Sequence, residues 1–372
     1  MRRSIMRLVV PLALLGLVAA ACSSDDEAPA DGGSDTGAAA VECPADFKVG
    51  LALDIGGLGD KSFNDAANAG LQQAIADGLV CEENAKLVPS NADGTNLADN
   101  IQALADAGYN YVEGVGFSFS PFVAAIAAQY PDVNFGTIDG YSTFLFDDPE
   151  TDKTEPVPPN VADLAFKEQE GSYLVGIAAA MQAQADGSNI VGFLGGQTIP
   201  LIEKFQAGYE AGVASVDPNI EVLVEYIGDN TAAFVNPTAG KALSEKMYSL
   251  GANIIYHAAG LSGSGLFQAA AETGKWAIGV DSDQYLTASA DQQPLILTSM
   301  LKRVDTATYN AIKQSGEASF ISGFQVFGLA EDGIGFSISN DALTPEMVDA
   351  MEAAKKGIID GTITVPETPA GK

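Results

Sequence analysis

Positive charge is scarce in this chain. Its 372 residues include 18 lysines and arginines against 49 aspartates and glutamates, a formal charge of −31. Binding to nucleic acid or to an anionic surface needs a basic patch, so composition excludes both as partners. Histidine occurs once, at His257, and cysteine only three times, too few for a zinc site of ordinary ligand spacing. No serine or cysteine nucleophile stands in a pattern with a histidine base, which removes the common hydrolytic arrangements. The apolar run Leu8–Ala21 is too short to span a bilayer as a helix.

That run follows Arg2, Arg3 and Arg7 and leads through "LVAAAC" into Cys22. Residues 1–21 therefore read as a secretory signal peptide. Cys22 fits the lipidation site of a bacterial lipoprotein, with Ala19 standing where a leucine is usual. The alternative is an ordinary cleaved signal ending near an incidental cysteine. Residues 22–43 then form a tether. The stretch "SSDDEAPADGGSDTGAAAV" has no aromatic residue and almost nothing to bury, and its nineteen residues reach about 25 Å root-mean-square.

From residue 45 onward strands and helices alternate. Short apolar runs predict strands at Phe47–Leu53, Ala85–Pro89, Tyr111–Val115 and Val133–Ile138. A second set falls at Ile190–Leu194, Glu221–Ile227, Asn253–His257 and Trp276–Val280. Helical spacing of apolar residues fills the intervals. This pattern predicts an α/β fold of two doubly wound lobes, each around a parallel sheet, joined by a hinge the chain crosses several times. The expected boundaries are 44–162 plus 290–322 for lobe one and 163–289 plus 323–360 for lobe two. Residues 361–372 are expected as a flexible tail. Cys43 and Cys81 each precede a strand, and adjacent parallel strands begin at one sheet edge. In an oxidising compartment the two would form a disulfide; two free thiols are the alternative.

The stretch "LDIGGLGDKSFNDAANAGLQQA" poses the functional question, because it sets polar groups and one phenylalanine where a strand turns into a helix. In α/β folds that is a ligand-binding position. With "FKEQEGSYLVGIAAAM", "VGFLGGQTIPLIEKFQAGYEAG", "NPTAGKALSEKMYSLGANIIYHAAGLSGSG", "AIGVDSDQ" and "LTSMLKRVD" it resembles the basic membrane protein family. These are substrate-binding lipoproteins of the purine nucleoside receptor type, with the type I periplasmic binding fold. The resemblance runs from about residue 47 to 335.

That resemblance implies capture of a nucleoside between the lobes and delivery to the permease subunits of an ABC importer. It further implies a monomer held to the outer face of the cell membrane by lipid, with no cofactor and no metal. Phe63 and, from the second lobe, Phe205 would stack on the base, and Asn64 would bond its edge. Asp54 would accept from a ligand donor, or else bond into its own glycine turn. Asp139, Asp281 and Lys302 would hold the ribose, and Gly260 would let the backbone approach the ligand. Against these stand plainer readings: Phe205, Tyr209 and Val213 as a core stripe, Asp139 as a loop cap, Lys302 as a surface lysine. Ser62 is expected to cap the helix, and Lys61 to pair with Asp54 or Asp60 or be solvated. His257 is expected to be a packed strand residue. The rival functions are a ligand sensor, a binding protein for a sugar, and a nucleoside hydrolase using paired carboxylates.

Overall fold

A computed structural model of the chain describes residues 42–148, 153–154 and 158–371. Residues 1–41, on which the expected signal peptide, the expected lipidation site Cys22 and nearly all of the expected tether fall, lie outside the described residues. The first lobe is laid down as β1 (Val49–Ala52), α1 (Phe63–Ala76), β2 (Ala85–Val88), α2 (Leu97–Asp106), β3 (Tyr111–Val115), α3 (Ser120–Ala127) and β4 (Asn134–Ile138). A two-stranded ladder, β5 (Asp147–Asp148) and β6 (Lys153–Thr154), precedes β7 (Val161–Phe166). The second lobe follows as α4 (Glu168–Ala185), β8 (Ile190–Gln197), α5 (Pro200–Val216), β9 (Glu221–Gly228), α6 (Pro237–Ser249), β10 (Ile254–Ala258), α7 (Gly263–Thr273), β11 (Trp276–Asp281) and β12 (Ile296–Lys302). The chain ends with α8 (Val304–Gly316), β13 (Gly323–Phe327), β14 (Ile334–Phe336) and α9 (Pro345–Ile359).

The strands form two six-stranded sheets, ordered β13-β7-β4-β3-β1-β2 and β14-β12-β11-β10-β8-β9. All pairs are parallel except β12 with β14, so both lobes have the doubly wound topology the alternation predicts. In such sheets ligand sites lie beyond the carboxyl ends of the strands, where the order reverses.

The sheets place the crossings differently from the sequence boundaries. β7, unrecognised as a strand in the sequence, belongs to the first sheet, so the first crossing is at 166–168 rather than 162/163. β12, expected as the return to lobe one, stays in the second sheet, and the return is made by α8. β13 joins the first sheet, and β14 and α9 complete the second lobe. Periodicity marks β12 as a buried strand without saying which sheet it extends. The expected flexible tail packs on the protein instead: Val365 is buried, and Lys204 lies 3.9 Å from Glu367.

Packing fixes the helices that carry the site. α4 is buried along most of its length and lies backbone-to-backbone on α5. A Cβ at Gly208 would sit 2.1 Å from the Gln169 carbonyl oxygen, and one at Gly212 2.1 Å from that of Tyr173. Any larger residue would push the helices apart. Phe205, Tyr209 and Val213 are all buried on α5, as the plainer core-stripe alternative has them, each such side chain contributing roughly 2 kcal/mol on burial. Cys43 and Cys81 are joined by a disulfide with the Cα atoms 5.2 Å apart, tying the chain before β1 to the turn before β2. Among the described residues, no helix is long and apolar enough to cross a membrane, and no group of three or more His, Cys, Asp or Glu could hold a metal ion.

Candidate functional site

Strand ends from both sheets meet at one cleft. The eight residues expected in the site, Asp54, Phe63, Asn64, Asp139, Phe205, Gly260, Asp281 and Lys302, all line it. Asp54 lies two residues beyond β1, Asp139 directly follows β4, and Asp281 and Lys302 end β11 and β12. The fold alone thus converges them.

Lys302 is the centre of the polar half. It ends a strand of the second lobe, whereas the expected boundaries put residues 290–322 in the first, and it is 2% exposed. Its ammonium lies 2.6 Å from Asp139 of the first lobe and 3.0 Å from Glu168 at the start of α4. The rings of Phe63, Phe166 and Phe205 surround it, with centroids 5.3, 5.1 and 5.5 Å away. The surface-lysine reading is therefore wrong. Burial alone would depress the ammonium's pKa, but Asp139, Glu168 and Asp281 together outweigh it and hold Lys302 above the ordinary lysine value.

Carboxylates outnumber the ammonium here. Burial raises Asp281 to about 6, with Lys302 and the Ser62 hydroxyl pulling the other way. Burial likewise raises Asp54 to about 7, against the backbone N–H of Ile55, and raises Glu168 despite Lys302. Asp139 and Asp281 also share a backbone peculiarity, with φ of 57° and 64°. Non-glycine residues in that region are uncommon and cluster at functional sites.

The glycine-rich turn behaves differently from expectation in one respect. Ser62 makes no capping bond; its hydroxyl donates across the cleft to Asp281, 2.5 Å away. Asp60 does the capping, accepting the backbone N–H groups of Ser62, Asn64 and Asp65 at 2.8–3.1 Å. Two carboxylate oxygens satisfy more orphan donors than one hydroxyl can. The Asn64 amide is held from both sides, its carbonyl accepting the Asp54 N–H at 2.8 Å and its NH2 donating to Asp60 at 3.0 Å. Lys61 pairs with neither Asp54 nor Asp60. Its ammonium donates to the Thr287 carbonyl of the other lobe at 2.8 Å, and Gln284 donates back to the Lys61 carbonyl at 3.2 Å. A row of direct bonds thus runs from lobe to lobe along this side of the cleft.

His257 is the packed strand residue expected, fully buried, with Nε2 2.9 Å from Gln284 Oε1. Burial lowers its pKa to about 4. That amide oxygen also accepts the Val280 N–H, so the imidazole donates from Nε2. Sequence reasoning missed Glu168 and the cleft-lining Asp60, Phe117 and Phe234. For Glu168 a signal existed: an acidic pair opening a helix directly after an apolar run.

With this geometry in hand, the comparisons with known proteins decide the family. The profile described as "ABC transporter substrate-binding protein PnrA-like" matches residues 47–369. The chain belongs to the PnrA-like family of ABC transporter substrate-binding proteins. It is 32% identical over 370 residues to the CD4+ T-cell-stimulating antigen of Listeria innocua, covering 95% of this chain and 96% of that protein. It is 30% identical over 363 residues to the ABC transporter nucleoside-binding protein BmpA of Lactococcus lactis, covering 94% and 95%. An ABC transporter solute-binding protein from Aeropyrum pernix K1 superposes with a TM-score of 0.70 at 28% identity, covering 86% of this chain and 94% of that one.

PnrA-like proteins bind a ligand outside the cytoplasm and associate with a transporter permease. They catalyse no reaction, which removes the hydrolase reading.

Proposed function

We propose that the protein captures nucleosides, purine in preference, and delivers them to an ABC importer from a lipid anchor at Cys22. The observation that carries this reading is the division of the cleft: aromatic rings from both lobes, Phe63 and Phe205, beside a buried polar cluster of Asp139, Asp281 and Lys302. A nucleoside has the same division, a flat base and a ribose rich in hydroxyls. Stacking contributes about 1–3 kcal/mol per base, and carboxylates at strand ends accept from hydroxyls. Asp54 and the remaining N–H of Asn64 would address the base edge, and the left-handed backbone of Gly260 (φ 54°) would pass close to the ligand. The name of the Lactococcus relative supports the same ligand class.

Thermal unfolding in the presence of purine nucleosides, pyrimidine nucleosides, free bases and monosaccharides tests the reading. Purine nucleosides should raise the midpoint most, because a ligand bound only to the folded state stabilises it by mass action. A shift with monosaccharides and none with nucleosides would refute it. For the anchor, Cys22→Ser should move the protein from the membrane to the soluble fraction; an unchanged membrane fraction would count against lipidation.

A further inference from the structure

Two rings that line the cleft stand apart from the three around Lys302. Phe117 follows β3 in the first lobe, and Phe234 lies in a short 3-10 turn, Thr231–Val235, after β9 in the second. Their centroids are 6.5 Å apart at an interplanar angle of 65°, an edge-to-face contact from one lobe to the other. Both rings are only half-buried, so the contact sits at the rim.

Both rings are set in place by their surroundings. Gly116 turns the chain with φ 125°, and a Cβ there would fall 2.2 Å from Asp54 Oδ2. That position must be glycine, and it presents Phe117 over the Asp54 side of the cleft. The Phe234 ring lies against the backbone of Gly196, where a Cβ would come 2.3 Å from its edge. Asn230 caps its turn by accepting the Ala232 N–H at 3.0 Å. The next residue, Val235, rests on Gly56 of the first lobe, where a Cβ would come 2.9 Å from a Val235 methyl. Two successive residues of one turn therefore meet the opposite lobe.

The chain crosses between lobes at 166–168, 302–304 and 327–334, and none of these segments includes either ring. Opening about that hinge must part the rings, and closing must bring them together. We propose that Phe117 and Phe234 form an aromatic gate at the rim, which holds the lobes shut over a bound ligand and sets its residence time. This goes beyond the nucleoside reading and rests only on the cleft being the ligand site. A contact present in the closed state and absent in the open one acts on dissociation and leaves association nearly unchanged.

The test uses the full chain and inosine as the probe, with association and dissociation followed by rapid filtration of the labelled nucleoside. Phe117→Ala and Phe234→Ala should each release inosine roughly two- to tenfold faster, with association unchanged. The double variant should release it no faster than the faster single variant, because one shared contact is lost only once. Where Phe234→Ala does not fold, Phe234→Leu replaces it. Unchanged dissociation, or single effects that multiply as for two independent ligand contacts, would overturn the gate. If wild-type protein takes up no inosine, the nucleoside reading fails and small-angle scattering of the ligand-free proteins decides the gate. The double variant should then have the larger radius of gyration, and an unchanged profile would overturn the proposal.

Discussion

The ammonium of Lys302, ending a strand of the second lobe, lies 2.6 Å from the carboxylate of Asp139, directly after a strand of the first. One buried ion pair therefore spans the two sheets at the floor of the cleft. Lys302 also faces Glu168 at 3.0 Å, so its removal would strand two carboxylates in a buried site. Breaking such a pair from one side costs about 3–5 kcal/mol.

Lys302→Met should lose stability of that order in urea unfolding at pH 7. The deficit should shrink as pH falls, because Glu168, which burial already raises, can take a proton instead. A loss under about 1 kcal/mol at pH 7, typical of an exposed pair, would contradict the burial of this ammonium.

Glu113 offers a pH test away from the cleft. It is fully buried in the first lobe, accepting from the Tyr111 hydroxyl at 2.5 Å and the Thr308 hydroxyl at 2.7 Å, and burial raises its pKa to about 7. A carboxyl raised on folding binds protons more tightly in the native state. Its contribution is present below the ordinary glutamate value and is lost as pH rises through about 7. His257, lowered to about 4 from 6.5, works in the opposite sense, contributing stability above pH 6.5 that is lost as pH falls. Comparing wild type with Glu113→Gln cancels the histidine. Between pH 5 and pH 8 the wild type should lose stability relative to the variant, by something on the order of 3 kcal/mol. Parallel pH profiles of the two proteins would contradict the assignment.

The Cys43–Cys81 bond closes a loop with a sequence separation of 38 residues. Loop-closure entropy puts the cost of removing such a link at about 4 kcal/mol. Cys43→Ser with Cys81→Ser should approach that loss in denaturant unfolding. Peptide mapping without reductant should recover the two cysteines linked, whereas two alkylatable thiols in the native protein would contradict the bond.

How much of this was legible in the sequence differs between fold and site. Strands, helices and their parallel order follow from local periodicity, and the strand-end aspartates follow from the order, so Asp139 and Asp281 were within reach. The crossings were not, because β7 and β12 are buried apolar runs whose partners lie far along the chain. The same limit hid the role of Ser62. Its spacing suggests a cap, but Asp60 satisfies the helix amides, and the serine is freed to bond Asp281 more than two hundred residues away. Phe117 and Phe234 gave no signal, since ordinary phenylalanines become a pair only when the lobes face each other.

The most direct test of the central claim is calorimetric titration of inosine and hypoxanthine into wild type, Phe63→Ala, Phe205→Ala and Asp281→Asn. Loss of either ring should weaken both ligands by about 1–3 kcal/mol, roughly tenfold to a hundredfold in Kd. Asp281→Asn should weaken inosine and leave hypoxanthine nearly unchanged, because only the nucleoside carries a ribose. If both ring variants fold normally and bind inosine as tightly as wild type, the base does not lie between these rings and the account of the cleft is wrong.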